Sequence, residues 1–311
     1  MADGARFRFG VQLTGPAAGT SWADTARRAE DLGYSTLLMP DHFNDQLAPV
    51  PALMAAADAT TVLRVGSLVW GVDYRHPVLL AKAAATIDLL SGGRFEFGLG
   101  AGWMSADYLQ SGIKEDEPTT RVDRLEEALA VCRGLWQDEK FSFHGTHYRI
   151  KDLDGLPKPA QKPHPPILVG GGGRRILSIA ARTADIVGIN PPLRSGQGVS
   201  AEMVSPFAVD DRVAHVRSQA GARLEQIELN IMVMRIHIGA DWPNQRSQIA
   251  ESLGSAHEDL DASPYIWLGE EARVIEHIRE IRERWGISYF VLHGHEAMEQ
   301  AAPIVSSLSG Q

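Results

Sequence analysis

Eight short apolar runs, separated by stretches of helical period, constrain this chain more than any other feature. Residues 7–13, 35–43, 61–70, 94–103, 166–173, 184–190, 227–238 and 287–293 read as buried strands. Helical patterns occupy 22–33, 76–93, 119–136, 174–183, 207–221, 243–254, 270–285 and 296–308. In the strongest of them, Val122, Leu125, Leu129, Cys132 and Trp136 lie on one stripe. Strands that alternate with helices pair in parallel and need cover on their faces. Two architectures satisfy this: a (β/α)8 TIM barrel, or a doubly wound sheet with a small appended domain. Eight repeats favour the barrel, as a single domain over 1–311. Residues 141–150 alternate like a hairpin and precede a proline-rich connector at 157–166. The segment 137–166 therefore reads as an insertion after strand 4, and 191–206 as a long loop after strand 6. Loops of that length often serve as lids or binding loops.

Composition removes several classes of function. The net charge is −9 with no basic block, which disfavours a nucleic-acid partner. No apolar run approaches the roughly 18 residues of a membrane span. The start, MADGARFRFGVQL, lacks the layout of a signal peptide, so the cytoplasm is the expected compartment. A lone cysteine, Cys132, excludes an intramolecular disulfide and a multi-cysteine metal site.

In a barrel the chemistry sits at the C-terminal ends of the strands. Those ends hold Asp41-His42, Leu68-Val69-Trp70, Gly100-Ala101-Gly102-Trp103, Gly170-Gly171-Gly172-Gly173 followed by Arg174-Arg175, Asn190 and His293. Four consecutive glycines let backbone amides approach an anion, and the following helix start adds its dipole. Arg174 or Arg175 could add charge. The rival reading is a tight turn with no ligand. FGLGAGW at 97–103 lacks the context of a dinucleotide fingerprint. It suits either close backbone packing or a flat ligand on bare backbone, with Trp103 and Met104 lining the pocket. Asp41-His42 reads as a catalytic acid/base, as a structural histidine beside its carboxylate, or, least well, as a metal pair. No metal site is expected. His76 and His293 are weaker acid/base candidates.

The block RHPVLLAKAAATIDLLSGGRFEFGLGAGW, 75–103, resembles the signature of the luciferase-like monooxygenase superfamily. FGVQL, EDLGYSTLLMPDHF, FHGTHYRI, PPILVGGGGRRILSIAARTADIVGIN and WGISYFVL extend the likeness over most of the chain. The resemblance implies a (β/α)8 barrel with an insertion. It also implies the deazaflavin coenzyme F420, or alternatively FMN, at the strand C-termini. Asp-His at the end of strand two resembles the F420-dependent branch. His42 then matches the acid/base histidine, and Leu68-Val69 a non-proline cis peptide behind the ring. Asp41 and Gly100–Gly102 would adjoin the cofactor, and Gly170–Gly173 with Arg174 would hold its tail. The substrate pocket would include Trp70, Trp103, Met104 and Asn190. Deazaflavin-dependent glucose-6-phosphate dehydrogenases carry glutamate in place of Trp103 and a lysine near 193, where this chain has Leu193, so a sugar phosphate is not expected here. An apolar small molecule fits the tryptophans better. The resemblance further implies a homodimer. Against hydride transfer stand an oxygen-using FMN monooxygenase, a non-catalytic cofactor-binding protein and a metal-dependent hydrolase.

Overall fold

The computed structural model describes residues 6–311 except 194 and 197. Eight strands form the barrel: β1 Arg8–Gln12, β2 Thr36–Met39, β3 Arg64–Ser67, β4 Phe95–Gly100, β5 Ile167–Gly171, β6 Ile186–Ile189, β7 Glu228–Met232 and β8 Ile287–His293. Their hydrogen-bonded order is β3-β2-β1-β8-β7-β6-β5-β4, and pairing of β3 with β4 closes the ring. All of these pairings are parallel. Parallel strands buried on both faces explain the nearly unbroken apolar runs in the sequence.

Helices α1 Trp22–Asp31, α2 Pro49–Ala59, α3 Pro77–Leu90, α4 Ser105–Ser111, α5 Pro118–Leu135 and α6 Arg174–Thr183 serve the first half of the chain. The second half carries α7 Ala201–Val204, α8 Pro206–Ala220, α9 Trp242–Leu253, α10 His257–Asp261, α11 Glu271–Trp285, α12 His295–Gln300 and α13 Ala302–Leu308. Local signals set their limits. Ser21 accepts from the Asp24 N–H to cap α1, and Pro77 opens α3 where a missing N–H costs nothing. The larger apolar core lies between strands and helices. A smaller one inside the ring joins Leu38, Leu68, Leu168, Ile186, Tyr289 and Val291.

Three sequence expectations need correction, and one element was not expected. The 44–60 stretch carries a helix, α2, that the sequence reading passed over. PVPALMAAADA is apolar or small on nearly every face, so it shows no stripe. The apolar run 61–70 leaves the barrel at Ser67, and Trp70–Gly71 pairs separately with Leu99 and Gly100. The run 227–238 also breaks. After Met232 the segment Arg235–Ile238 pairs with Ile266–Gly269 in a separate two-stranded sheet. The last helix divides at Ala301. The insertion does form the expected hairpin, Phe141–His144 against Arg149–Leu153. The Glu127 carboxylate on α5 secures its turn by accepting from the N–H groups of Thr146, His147 and Tyr148.

The N-terminal mouth of the barrel is filled by charge. Glu96, almost fully buried, accepts from both Arg8 and Arg64, and Arg8 also reaches Glu228 at 2.6 Å. Burial pushes the Glu228 carboxyl up to about 7, against the pull of Arg8 and with a further push from Glu96. Its folded pKa lies above the ordinary value of 4.5, so the folded state holds this proton more tightly than the unfolded chain. The associated stability is complete below the ordinary value and is lost as pH rises through about 7. Glu228→Gln is therefore expected to flatten the fall in thermal midpoint between about pH 5 and pH 8. An equally steep fall in the variant would contradict this.

Candidate active site

The C-terminal mouth is built on a close approach of β3 to β4. A Cβ on Gly98 would lie 1.9 Å from the Ser67 carbonyl oxygen, and one on Gly100 would lie 2.4 Å from Val69 Cγ2. Glycine at both positions lets the segment after β3 lie flat on β4. Ser67 stitches the two together, its Oγ donating to the Gly98 carbonyl at 2.8 Å and accepting from the Gly98 N–H at 2.9 Å. The Leu68–Val69 peptide is cis, as the resemblance implied. The Gln12 side-chain amide donates to the Leu68 carbonyl, and its oxygen lies 2.9 Å from His293 Nδ1. Burial lowers the His293 pKa, which favours a neutral ring donating to Gln12. Ala101 is buried beside this wall.

His42 follows β2 and remains partly accessible, its side chain 21% exposed. Its carboxylate partner is not the adjacent Asp41. Asp41 is buried, accepts two hydrogen bonds from Arg75 and takes the Gly71 N–H at 3.1 Å. It therefore ties the segment after β2 to the one after β3, instead of turning to the mouth. The partner of His42 is Asp107 on α4, with Nδ1 to Oδ2 at 2.6 Å. Asp107 also accepts from the Phe43 N–H and the Tyr74 hydroxyl, each at 3.2 Å. Burial, and then the charge of Asp107, push the Tyr74 phenol well up, so it stays a donor. The sequence reading missed Asp107 because α4 spans only seven residues. The available signal was a short polar segment between the Gly-rich turn and Gly112, which ends the helix in a left-handed conformation.

Trp103 packs edge-on against His42, with ring centroids 5.9 Å apart, and is 36% exposed. Met104, half-buried, precedes α4. Trp70 is not at the mouth. Its indole is fully buried against Phe95 and Phe97 in the outer core, because the chain turns outward there to pair with Leu99.

The glycine run leads into α6. A Cβ on Gly172 would sit 2.2 Å from the Pro192 nitrogen, so glycine is required for this approach. Gly173 is the N-cap, faces open space and offers no side-chain cap. Among the described residues no side chain caps the first-turn N–H groups of α6, which carry the positive end of the helix dipole. Arg174 pairs with Asp211 and Arg175 with Asp123, both at the surface. Such exposed pairs are worth only about 0–1 kcal/mol, so either arginine can exchange partners readily. The Asn190 side-chain oxygen accepts from the Met232 N–H at 3.4 Å, and a Cβ on Gly170 would stand 3.2 Å from its Nδ2. Among the described residues no group of three or more His, Cys, Asp or Glu could hold a metal ion. No helix among them is long and apolar enough to cross a membrane.

A closed parallel barrel with a histidine–aspartate pair and a glycine-started helix at its C-terminal end has the architecture of the α/β barrels, in which chemistry sits at the strand ends. The comparisons with known proteins name the family. The model of the luciferase-like monooxygenases matches residues 5–289, and the chain belongs to that family, whose members are oxidoreductases and monooxygenases. An FMNH(2)-dependent dimethylsulfone monooxygenase of Pseudomonas putida is 34% identical over 180 residues, covering 58% of this chain and 46% of that protein. The chain thus matches under half the length of that relative. An F420-dependent glucose-6-phosphate dehydrogenase of Intrasporangium calvum is 26% identical over 301 residues, 87% of each chain. The solved coenzyme F420 dependent tetrahydromethanopterin reductase of Methanopyrus kandleri superposes with a TM-score of 0.73 at 19% identity, covering 96% of this chain and 98% of that one. At that identity the likeness shows the fold. By name, these three relatives depend on F420 or on reduced FMN.

Proposed function

We propose that this chain, as one luciferase-like unit, is an F420-dependent oxidoreductase acting on an apolar small molecule. The observation that carries the reading is the placement of His42, partly open after β2 and edge-on to Trp103, at the end of the barrel where the Leu68–Val69 cis peptide lies on the β4 glycines. Gly173 faces open space at the start of α6, where backbone amides without a side-chain cap suit a phosphate-bearing tail. These residues fit a flat, phosphate-bearing cofactor. When bound, the deazaflavin supplies the hydride acceptor or donor. The protein's part is orientation and proton management. Leu68, Val69 and Gly100–Gly102 support the ring face, and the α6 amides with Arg174 hold the tail. His42 gives or takes the coupled proton. Trp103 and Met104 flank the substrate, with Asn190 at the far side. Trp103 and the exposed Phe43 supply apolar surface for that substrate.

A second reading, FMN-dependent oxygenation fed by a separate reductase, draws on the 34% identical Pseudomonas relative. Anaerobic turnover separates the two. Bleaching of oxidised F420 without oxygen, in the presence of a panel of alcohols and other reduced organic donors, or its reappearance with oxidised acceptors, is expected. Turnover only with reduced FMN and oxygen would overturn the first reading in favour of the second. The assembly we propose is a homodimer. The apolar groove of about 440 Å³ between α2 and α3, with Met54, Leu79 and Leu90 on its walls, offers a face for it.

A further inference from the structure

We infer that Asp107 is a positioning residue that fixes which nitrogen of His42 carries the proton. The inference rests on the reading of His42 as the acid/base group, and it supplies what that reading lacks: the reason one particular nitrogen faces the reactants.

A neutral imidazole has one N–H and one lone pair, and the partner of one nitrogen decides the state of the other. Asp107 is 3% exposed. Its Oδ1 accepts from the Phe43 N–H, which can only donate, and its Oδ2 faces Tyr74 and His42 Nδ1. A carboxylate has only acceptor oxygens, and this one already takes the Phe43 N–H and the Tyr74 hydroxyl, so toward the ring it acts as an acceptor too. The proton on the His42 ring is therefore drawn to Nδ1, at 2.6 Å from Oδ2. Nε2 has no hydrogen-bond partner among the described residues and is not among the sealed, unsatisfied atoms. It is left with a lone pair open at the mouth, ready to accept a proton from a bound hydroxyl or similar group, or, once protonated, to return it. The edge of Trp103 against the imidazole limits rotation of the ring.

The arrangement also explains why the site draws on α4. Asp41 is next to His42 in sequence, but Arg75 and Gly71 occupy its oxygens. The acceptor for Nδ1 has to come from elsewhere. Tyr74 and Phe43 fix both oxygens of Asp107, so the carboxylate cannot swing away from the ring without losing those bonds as well.

The test is nitrogen NMR of the ¹⁵N-histidine-labelled protein without cofactor, near pH 9, where an ordinary imidazole is neutral. A hydrogen bond to a charged acceptor is among the strong ones, so the Nδ1–H form of His42 is expected to outweigh the Nε2–H form by at least about tenfold. His42→Gln assigns the resonance by its disappearance. In Asp107→Asn the carboxamide can donate to Nδ1, and the proton is expected to move to Nε2. Asp107→Glu is expected to keep it on Nδ1. An Nε2–H tautomer in the unmodified protein would overturn the inference without recourse to any variant that fails to fold. An unchanged tautomer in a folded Asp107→Asn protein would overturn it equally. Because no cofactor is present, the result stands apart from any failure of the F420 assignment.

Discussion

His42→Ala is expected to lower the turnover of F420 by about 10²–10⁴-fold, the range that a positioned acid/base contributes. The affinity for the cofactor is expected to change by less than about threefold, because the wall and the amides proposed to hold it belong to other residues. The split follows from geometry. His42 meets Asp107 with Nδ1, while the Leu68–Val69 peptide and the start of α6 belong to other segments of the chain. Removing the imidazole leaves Asp107 with Phe43 and Tyr74 as donors, so the carboxylate remains partly satisfied and the fold is retained. Steady-state turnover and cofactor titration on the same preparation check this. Equal losses in both would show His42 to be a binding residue. An unchanged turnover would remove it from the chemistry and favour a cofactor-binding protein without catalysis.

Gly98→Ala is expected to be the most destabilising small substitution in the barrel wall. The added Cβ would lie 1.9 Å from a backbone oxygen, that of Ser67, which cannot rotate aside as a side chain can. Either β3 or β4 must shift, and the Ser67 hydroxyl would lose its paired bonds with Gly98. Overpacking commonly costs about 1–3 kcal/mol, and a backbone clash of this depth belongs at or above the upper end. Gly15→Ala is the matched control, since its Cβ would meet nothing closer than Leu47 Cγ at 4.0 Å. Denaturant midpoints of the two variants provide the comparison. A Gly98→Ala midpoint equal to that of Gly15→Ala would mean that β3 and β4 do not lie this close.

The barrel was legible because both of its periods are strong. Strands buried on two faces read as continuous apolar runs, and α1, α6 and α11 carry clear apolar stripes. The failures came where that contrast vanishes. In α2 nearly every face is apolar or small, which hides the helix. In 227–238 the apolar pattern runs through a break at Val233 that only tertiary pairing reveals, as the Met234 and Arg235 N–H groups turn to the Tyr265 carbonyl. The site was legible in part for a similar reason. Strand ends named His42, the 68–69 peptide and the glycines, since those positions follow from chain order in a barrel. They could not separate Asp41 from Asp107 as the partner of His42. That choice is made by Arg75, which engages Asp41, and by a seven-residue helix too short to show a period. Trp70 illustrates the opposite error. It stands next to the mouth in sequence, but the chain has already turned its side chain into the outer core.

Fluorescence titration of the purified protein with F420, and separately with FMN, tests the central claim most directly. The account predicts saturable binding of F420 at micromolar concentration or tighter, with FMN at least about tenfold weaker, a difference of about 1.4 kcal/mol. Preference for FMN, or saturation by neither, would contradict it.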